Sequence, residues 1–109
     1  MTDVEFVERA KVAIKKYYWM EFGKYMDDDI DVTRIPILYS TADDENDVEH
    51  DVQWYADIIG REMILEIDGE ERYRTEFLLE DFEVYPEDVF SWFYDIAQEK
   101  VNDLFNGRR

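Results

Sequence analysis

Carboxylates are the side chains of this sequence with the most capacity for chemistry, and they occur in runs. The 109 residues include 29 Asp and Glu against 12 Lys and Arg, a formal net charge of -17. Residues 1–26 carry four acids and five bases, whereas residues 27–60 carry eleven acids and a single base, Arg34. A field of this sign repels nucleic acid and anionic membranes and attracts basic surfaces. We therefore expect a basic nucleic-acid-binding protein as the partner, with no direct binding of nucleic acid or membrane.

The first acidic run matches only part of a calcium-binding loop. Asp27, Asp29 and Asp31 occupy alternate positions, as the early ligands of such a loop do. Val32 stands where the turn glycine belongs, and Leu38 stands where the bidentate Glu belongs. The sequence therefore predicts no specific metal site, and it indicates no cofactor.

Catalytic signatures are also missing from the sequence. Acid and base catalysis needs a carboxylate pair in a dry pocket, or a His near a nucleophile. His50 is the single His, and the chain has no Cys. The sequence contains no nucleophile-elbow, phosphate-loop, dinucleotide or zinc-protease motif. We interpret His50 as a structural residue paired with a carboxylate and the protein as non-enzymatic, while a hydrolase using a carboxylate pair stays open as a lesser alternative.

Two binding functions remain, and each has its own candidate residues. In the first, carboxylates held on a folded scaffold imitate a nucleic-acid backbone, which carries about one charge per 1.7 Å of duplex. They would face the Lys and Arg side chains of the partner. The candidate residues are Asp27, Asp28, Asp29, Asp31, Asp43, Asp44, Glu45, Asp47, Glu49 and Asp51.

The alternative is a small accessory or regulatory module that binds through exposed aromatic and apolar surface, as a monomer or a homodimer. Aromatic residues at positions that fit no predicted core face are typical of interface anchors. These aromatic residues are Tyr18, Trp19, Tyr25 and Tyr55. We take Trp19, Tyr55 and Ile64 as the candidate interface residues of this second function.

Composition places the chain among folded domains. Hydrophobic residues make up 46% and aromatic residues 17%, which is too apolar for a disordered acidic tail. The length suits one domain over residues 1–109. The absence of Cys is typical of a reducing compartment, and the sequence shows neither a basic leader nor about 18 consecutive apolar residues. We therefore expect a cytoplasmic protein.

Apolar spacing predicts a helix towards each end of the chain. Thr2 and Glu5 form a capping-box pattern, and apolar residues recur at three- and four-residue spacing to about Tyr25. The second helix is predicted to begin at Tyr85-Pro86 and to end at Gly107. Its apolar stripe comprises Val89, Phe90, Phe93, Ile96, Ala97, Val101 and Leu104.

Four strands are predicted between these helices. Ile35, Ile37 and Tyr39 alternate with Pro36, Leu38 and Ser40, and Pro36 confines this strand to a sheet edge or a bulge because it has no N–H to donate. An exposed loop is expected at residues 41–47. Residues 48–58 alternate most clearly, with an inner face of Val48, His50, Val52, Trp54, Ala56 and Ile58.

The hydrophobic pattern also selects the register of the two hairpins that follow. A turn at residues 58–61 pairs apolar with apolar, namely Ala56 with Met63, Trp54 with Leu65 and Val52 with Ile67. A two-residue turn at Asp68-Gly69 would set Met63 opposite Arg74. We therefore predict a bulged hairpin with a three-residue loop and a left-handed Gly69.

The order of elements predicts an α+β fold. An N-terminal helix, a four-stranded antiparallel meander and a C-terminal helix are expected, with both helices on one sheet face and solvent on the other. An irregular acidic connection at residues 80–83 is expected between the last strand and the last helix.

The run VEHDVQWYADIIGREMILEIDGEERYRTEF, residues 48–77, resembles small accessory domains of large polyvalent proteins and mobile elements of Gram-positive bacteria. The shared feature is a strand, Asp, turn, strand and Asp-Gly hairpin pattern. In size and charge the chain is also similar to phage and transposon inhibitors of host defence, including anti-CRISPR and anti-restriction DNA mimics. These resemblances imply a non-enzymatic inhibitor from a phage or mobile element, with no catalytic residue to carry over.

Overall fold

The computed structural model describes residues 1–105. The helices are α1 (Asp3–Phe22), α2 (Leu79–Val84) and α3 (Val89–Phe105), with a 3-10 turn at Pro86–Asp88 before α3. The strands are β1 (Ile35–Asp43), β2 (Glu49–Asp57), β3 (Glu62–Ile67) and β4 (Glu70–Glu76). They form one antiparallel sheet in the order β1-β2-β3-β4. The predicted α+β fold is confirmed; the helix end predicted at Gly107 lies outside the described residues.

Both long helices cover the same sheet face. The Trp54 indole of β2 is fully buried and donates from Nε1 to the carbonyl of Phe93 in α3, over 2.9 Å. The Tyr17 hydroxyl of α1 donates to the carbonyl of Ile37 in β1, over 2.7 Å. Buried Tyr and Trp side chains usually find a partner for their polar atom in this way. These two bonds tie one helix to the edge strand and the other to a central strand.

The N-terminal helix begins as predicted and ends earlier. Thr2 and Glu5 form the capping box, with the Glu5 amide donating to Thr2 Oγ1 over 3.1 Å. The helix stops at Phe22, not near Tyr25, because Gly23 adopts a left-handed φ of 65° and its N–H donates to the carbonyl of Trp19.

One aromatic residue was assigned to the wrong environment. Tyr18 was expected to fit the core face poorly, yet it is 5% exposed. Its hydroxyl donates to the carbonyl of Pro36, which satisfies the polar atom and allows the ring to be buried. Burial raises the pKa of Tyr18 to about 12.

A bulge in β1 reverses the predicted orientation of part of the strand. Pro36 lies on an edge strand and beside a bulge, which are the two places its missing N–H allows. The register shifts between Pro36 and Leu38, so Ile37 and Leu38 are both buried. Tyr39 consequently turns outward and is 61% exposed, contrary to the alternation expected from the sequence.

The neighbouring loop is shorter than expected. β1 continues through Asp43, so residues 41–43 belong to a strand and Ala42 is buried. Val48, predicted to face inward, precedes β2 and is 51% exposed. The remaining inward residues of residues 48–58 are buried as predicted.

In the β2–β3 and β3–β4 hairpins, the side chains lie on the predicted sheet faces. The β2–β3 register is as predicted, whereas the β3–β4 turn is not. β2 and β3 pair Ala56 with Met63, Trp54 with Leu65 and Val52 with Ile67, which confirms that register. Asp68 and Gly69 have φ of 54° and 82°, as the two central residues of a type I′ turn require. The prediction of a three-residue loop was therefore wrong. The turn has two residues, and the additional residue of the bulged hairpin lies in β4, where Leu65 pairs with Tyr73 and Glu66 with Glu71.

The connection after β4 is helical, which the sequence analysis missed. α2 spans Leu79–Val84 and buries Phe82 completely. The Phe82 ring stacks on Phe77 at 5.1 Å and meets Tyr17 edge to face at 5.6 Å. One buried aromatic ring thus anchors a segment whose exposed acids suggested an irregular loop.

Candidate functional site

The β1–β2 loop and the β3–β4 turn lie side by side at one end of the sheet. The Asp68 amide donates to the carbonyl of Asp51 over 2.9 Å, so residues 43–51 and residues 68–72 form one surface, which we call the acidic tip. The acidic tip contains nine carboxylates, one Arg and one His. Topology therefore concentrates negative charge at this end of the molecule.

His50 joins the two halves of the acidic tip. It is 8% exposed, and its ring nitrogens contact carboxylates on opposite sides: Nε2 lies 2.9 Å from Asp44 Oδ2 and Nδ1 lies 2.7 Å from Asp68 Oδ2. Hydrogen bonds to Asp44 and then to Asp68 raise the pKa of His50. The same bonds from His50 lower the pKa of Asp44 and of Asp68. A protonated imidazolium donates to both carboxylates. The sequence predicted one carboxylate partner for a structural His50, and the structure gives it two.

Asp44 also builds the β1–β2 loop. Its amide donates to the carbonyl of Val48 over 3.0 Å, while its Oδ1 accepts the amides of Asn46 and Val48 at 2.8 and 3.1 Å. Asp47 adopts a left-handed φ of 61° within this loop. Asp44 is therefore a structural carboxylate that holds the loop around it.

The carboxylates of the acidic tip thus fall into two groups. Asp68 Oδ1 accepts the Asp51 amide at 3.0 Å, so Asp68, like Asp44, bonds within the tip. Asp51 Oδ1 accepts the hydroxyl of Tyr39, a neighbouring β1 residue, at 3.2 Å. Other members are exposed on the hairpin surface: Asp43, Glu45, Asp47, Glu49, Glu70 and Glu71. The first group shapes the tip, and the second group lies on its surface, where Glu70 pairs with Arg72 and Glu71 with Arg74.

Most basic side chains of the described residues pair away from residues 43–51. Arg34 binds Glu66 through two hydrogen bonds of 3.0 and 3.1 Å, and Arg74 contacts Glu62 and Glu71 at 2.5 and 2.6 Å. The other pairs are Arg9–Glu83, Lys15–Asp28, Arg61–Asp3 and Arg72–Glu70. Two of the paired acids, Glu70 and Glu71, belong to the acidic tip, and the other paired acids lie elsewhere on the surface.

The first acidic run lies at the opposite end of the sheet. Residues 27–31 precede β1, whose nine residues separate them from the acidic tip by about 26 Å at 3.3 Å per residue. Asp28 contacts Lys15 at 3.0 Å, and Asp31 Oδ1 accepts the amide and hydroxyl of Thr33. The candidate acids therefore form two groups: residues 43–51 in the acidic tip, and Asp27, Asp28, Asp29 and Asp31 at the far end.

The three candidate aromatic and apolar residues are not brought together. Trp19 is 53% exposed on α1 and stacks on Tyr25 at 4.9 Å. Tyr55 and Ile64 pair across β2 and β3 on the sheet face that the helices leave open. The Arg34 guanidinium lies 3.8 Å from the centre of the Tyr55 ring and partly covers it.

Sequence reasoning missed the contribution of the β3–β4 turn to the site. Asp68, Glu70 and Glu71 were treated as turn and strand residues, although the predicted β2–β3 register already placed this turn beside Asp51. From that register, the sequence could have predicted that the β1–β2 loop and the β3–β4 turn lie next to each other.

Within residues 1–105, no cluster of three His, Asp or Glu side chains is arranged to hold a metal ion. The carboxylates around His50 contact opposite ring nitrogens, so they do not converge on one point. No helix in this part of the chain is both long and apolar enough to cross a membrane. Comparison with protein-family models, with curated proteins and with solved structures found no match.

Proposed function

We propose that this protein is a non-enzymatic inhibitor whose acidic tip occupies the basic nucleic-acid-binding surface of another protein. The observation that carries the proposal is the joining of two acidic hairpin loops through His50, which places nine carboxylates on one end of a folded sheet. A scaffolded set of carboxylates can replace phosphates in a groove lined with Lys and Arg.

The arrangement of the acids favours a binding role over solubility alone. Asp43 and Glu49 are directly opposed across β1 and β2, and like charges in that position destabilise a sheet. A soluble surface does not need opposed acids, because the same charges could be spaced apart. A cationic partner would relieve this repulsion on binding.

The second acidic group extends the surface that such a partner could contact. Asp27–Asp31 lies about 26 Å from the acidic tip, which is the length of roughly eight base pairs at 3.4 Å each. A cleft built for a short duplex could therefore contact both groups. Host-defence nucleases of the CRISPR and restriction types contain clefts of this kind, so we propose an anti-CRISPR or anti-restriction inhibitor from a phage or mobile element.

Displacement of DNA from purified enzymes tests the proposal. A labelled duplex would be bound to a guide-loaded Cas9-type nuclease and, separately, to a restriction enzyme complex, and its fluorescence anisotropy followed as this protein is added. The tip variant carries D43N, E45Q, D47N and E49Q; the matched control carries E80Q, E87Q, E99Q and D103N, which changes the charge equally at exposed sites elsewhere.

We expect wild type and the control to displace the duplex, and the tip variant to need at least about tenfold more protein. Asn at position 47 suits the left-handed backbone there, so the tip variant should fold normally. If the tip variant and the control displaced the duplex equally poorly, total charge and not the acidic tip would account for displacement. Failure of the wild type to displace DNA from any of these enzymes would overturn the host-defence proposal.

A second candidate function is an interaction module that binds through aromatic surface. The observation that favours it is the stacked pair of Trp19 and Tyr25, which are 53% and 79% exposed. Binding of this kind should survive 0.5 M salt, because apolar contacts are not screened, and should fail in the double variant W19A/Y25A. Binding through the acidic tip should show the reverse pattern.

A further inference from the structure

Within residues 1–105, no strand pairs with the outer side of β1, which is an edge of the sheet. β1 and β4 are the two edge strands of the described sheet. The Asp44 amide bonds to Val48, and hydrogen-bonded pairs alternate along an antiparallel ladder. The backbone N–H and C=O groups of Tyr39, Thr41 and Asp43 therefore point away from β2.

The two edges differ in charge. β4 has the sequence EERYRTE, in which five of seven residues are charged, and charged side chains protect an edge from pairing with another strand. β1 has no charged residue from Ile35 to Ala42. The edge of β1 is thus the one that can accept a further strand.

A small apolar pocket adjoins this edge. It has a volume of about 180 Å³ and is lined by Tyr18, Phe22, Pro36, Leu38 and Tyr39, with Ile37 and Lys24 completing the wall. Strand addition to a sheet edge commonly uses such pockets to select alternate side chains of the added strand. This pocket is of a size to accept one apolar side chain.

Charge decides which strand fits. The acidic tip lies at one end of β1, and Asp27–Asp31 lies at the other, where Lys24 is a neighbouring cation. Carboxylates therefore outnumber cations at both ends of an added strand. A second copy of this chain would bring a net charge of -17 against the same charge, which disfavours self-pairing. We propose that the edge of β1 between Leu38 and Asp43 binds an extended segment of a partner protein that has basic ends and an apolar residue between them.

This inference goes beyond charge mimicry, because it requires backbone pairing. The probe is a capped peptide, Lys-Arg-Thr-Val-Thr-Leu-Thr-Arg-Lys, titrated into the ¹⁵N-labelled protein by NMR. We expect shifts in the amides of Tyr39, Thr41 and Asp43, with β4 amides unchanged. A peptide with Glu at the four basic positions should not bind. Two further peptides are N-methylated, one at the odd-numbered residues and one at the even-numbered residues. Only the peptide whose free N–H groups face β1 should bind.

Substitution at one outward position separates backbone pairing from side-chain contact. T41P removes an N–H that points away from β2 and leaves the β1–β2 ladder intact, since edge strands tolerate Pro there. The matched control T41V keeps the N–H. We expect T41P to weaken peptide binding roughly tenfold through a lost hydrogen bond and ring clash, and T41V to leave it within about twofold.

Equal binding to wild type and T41P, or equal binding of both N-methylated peptides, would overturn the proposal. The N-methylated peptides give this answer on wild-type protein even if T41P fails to fold. T41P should displace DNA in the enzyme assay above as wild type does, whereas the tip variant should need at least about tenfold more protein. Failure of strand addition and failure of the proposed inhibitor function are therefore distinguishable.

Discussion

His50 Nδ1 lies 2.7 Å from Asp68 Oδ2, and this contact crosses from the β1–β2 hairpin to the β3–β4 turn. With Asp44 bonded to the other ring nitrogen at 2.9 Å, one imidazolium bridges the two loops that carry the exposed acids. Protonation of His50 therefore adds a side-chain bridge to the contacts that Asp51 and Asp68 already make between these loops.

The His50 bridge predicts a pH dependence of stability. Because the folded pKa of His50 is raised above 6.5, its contribution is complete below the unfolded pKa of about 6.5 and is lost as pH rises through the folded pKa. The pKa values of Asp44 and Asp68 are lowered in the folded protein, so these carboxylates stabilise the fold above their unfolded pKa. That stabilisation is lost as pH falls through their folded pKa values. We expect the bridge to stabilise most between about pH 4.5 and 6.5.

Two variants check this expectation. His50 is the single His, so its ring resonances in NMR can be titrated without ambiguity. D68N keeps a residue that tolerates the left-handed turn and removes one carboxylate, so it should lower the His50 pKa towards 6.5. In the wild type, the bridge should make the free energy of unfolding larger at pH 6 than at pH 9. This difference should be absent in H50Q. A wild-type His50 that titrates at or below 6.5 would contradict the bridge.

Trp54 is expected to be the most costly core position to truncate. It is fully buried, packs 4.7 Å from the Phe93 ring and donates to the Phe93 carbonyl. W54A should lower the free energy of unfolding by about 3–5 kcal/mol, measured by urea denaturation. W92A, at a side chain that is 38% exposed, should cost about 1 kcal/mol or less. Similar costs at the two positions would argue against this packing.

Gly69 is expected to be needed for its backbone conformation alone. Its φ is 82°, and a Cβ added there would meet no atom within 4 Å. G69A should therefore cost about 1–2 kcal/mol of unfolding free energy from the left-handed backbone, whereas G69N should cost much less because Asn visits that region. Thermal melts of the two variants compare them directly, and equal melting temperatures would show that the type I′ turn is not required.

Association through the acidic tip should depend steeply on ionic strength. Exposed charges act over a Debye length of about 10 Å at 0.1 M salt and 3 Å at 1 M, so salt should mainly lower the association rate constant for a basic partner. Stopped-flow or surface-binding kinetics between 0.05 and 0.5 M salt would measure it. The tip variant should show a clearly shallower slope than the matched control, and equal slopes would count against a localised site.

Local patterns in the sequence correctly predicted much of the scaffold. The Thr2 and Glu5 cap, the inward face of β2 and the β2–β3 register depend on residues close in the chain, where propensity and period-two burial act directly. The acids of residues 43–51 were recognised as a group for the same reason, since these residues are contiguous.

Tertiary structure decided the rest. Tyr39 faces outward because a bulge at Ile37 lets two successive apolar residues enter the core, and α2 forms because burying Phe82 outweighs its flanking acids. His50 meets Asp68 across 18 positions of sequence, and β1 is left open while charge protects β4. The sequence by itself determined the elements and the negative field, because these depend on local residue types. Only packing between distant segments determined which acids share a surface and which edge stays free.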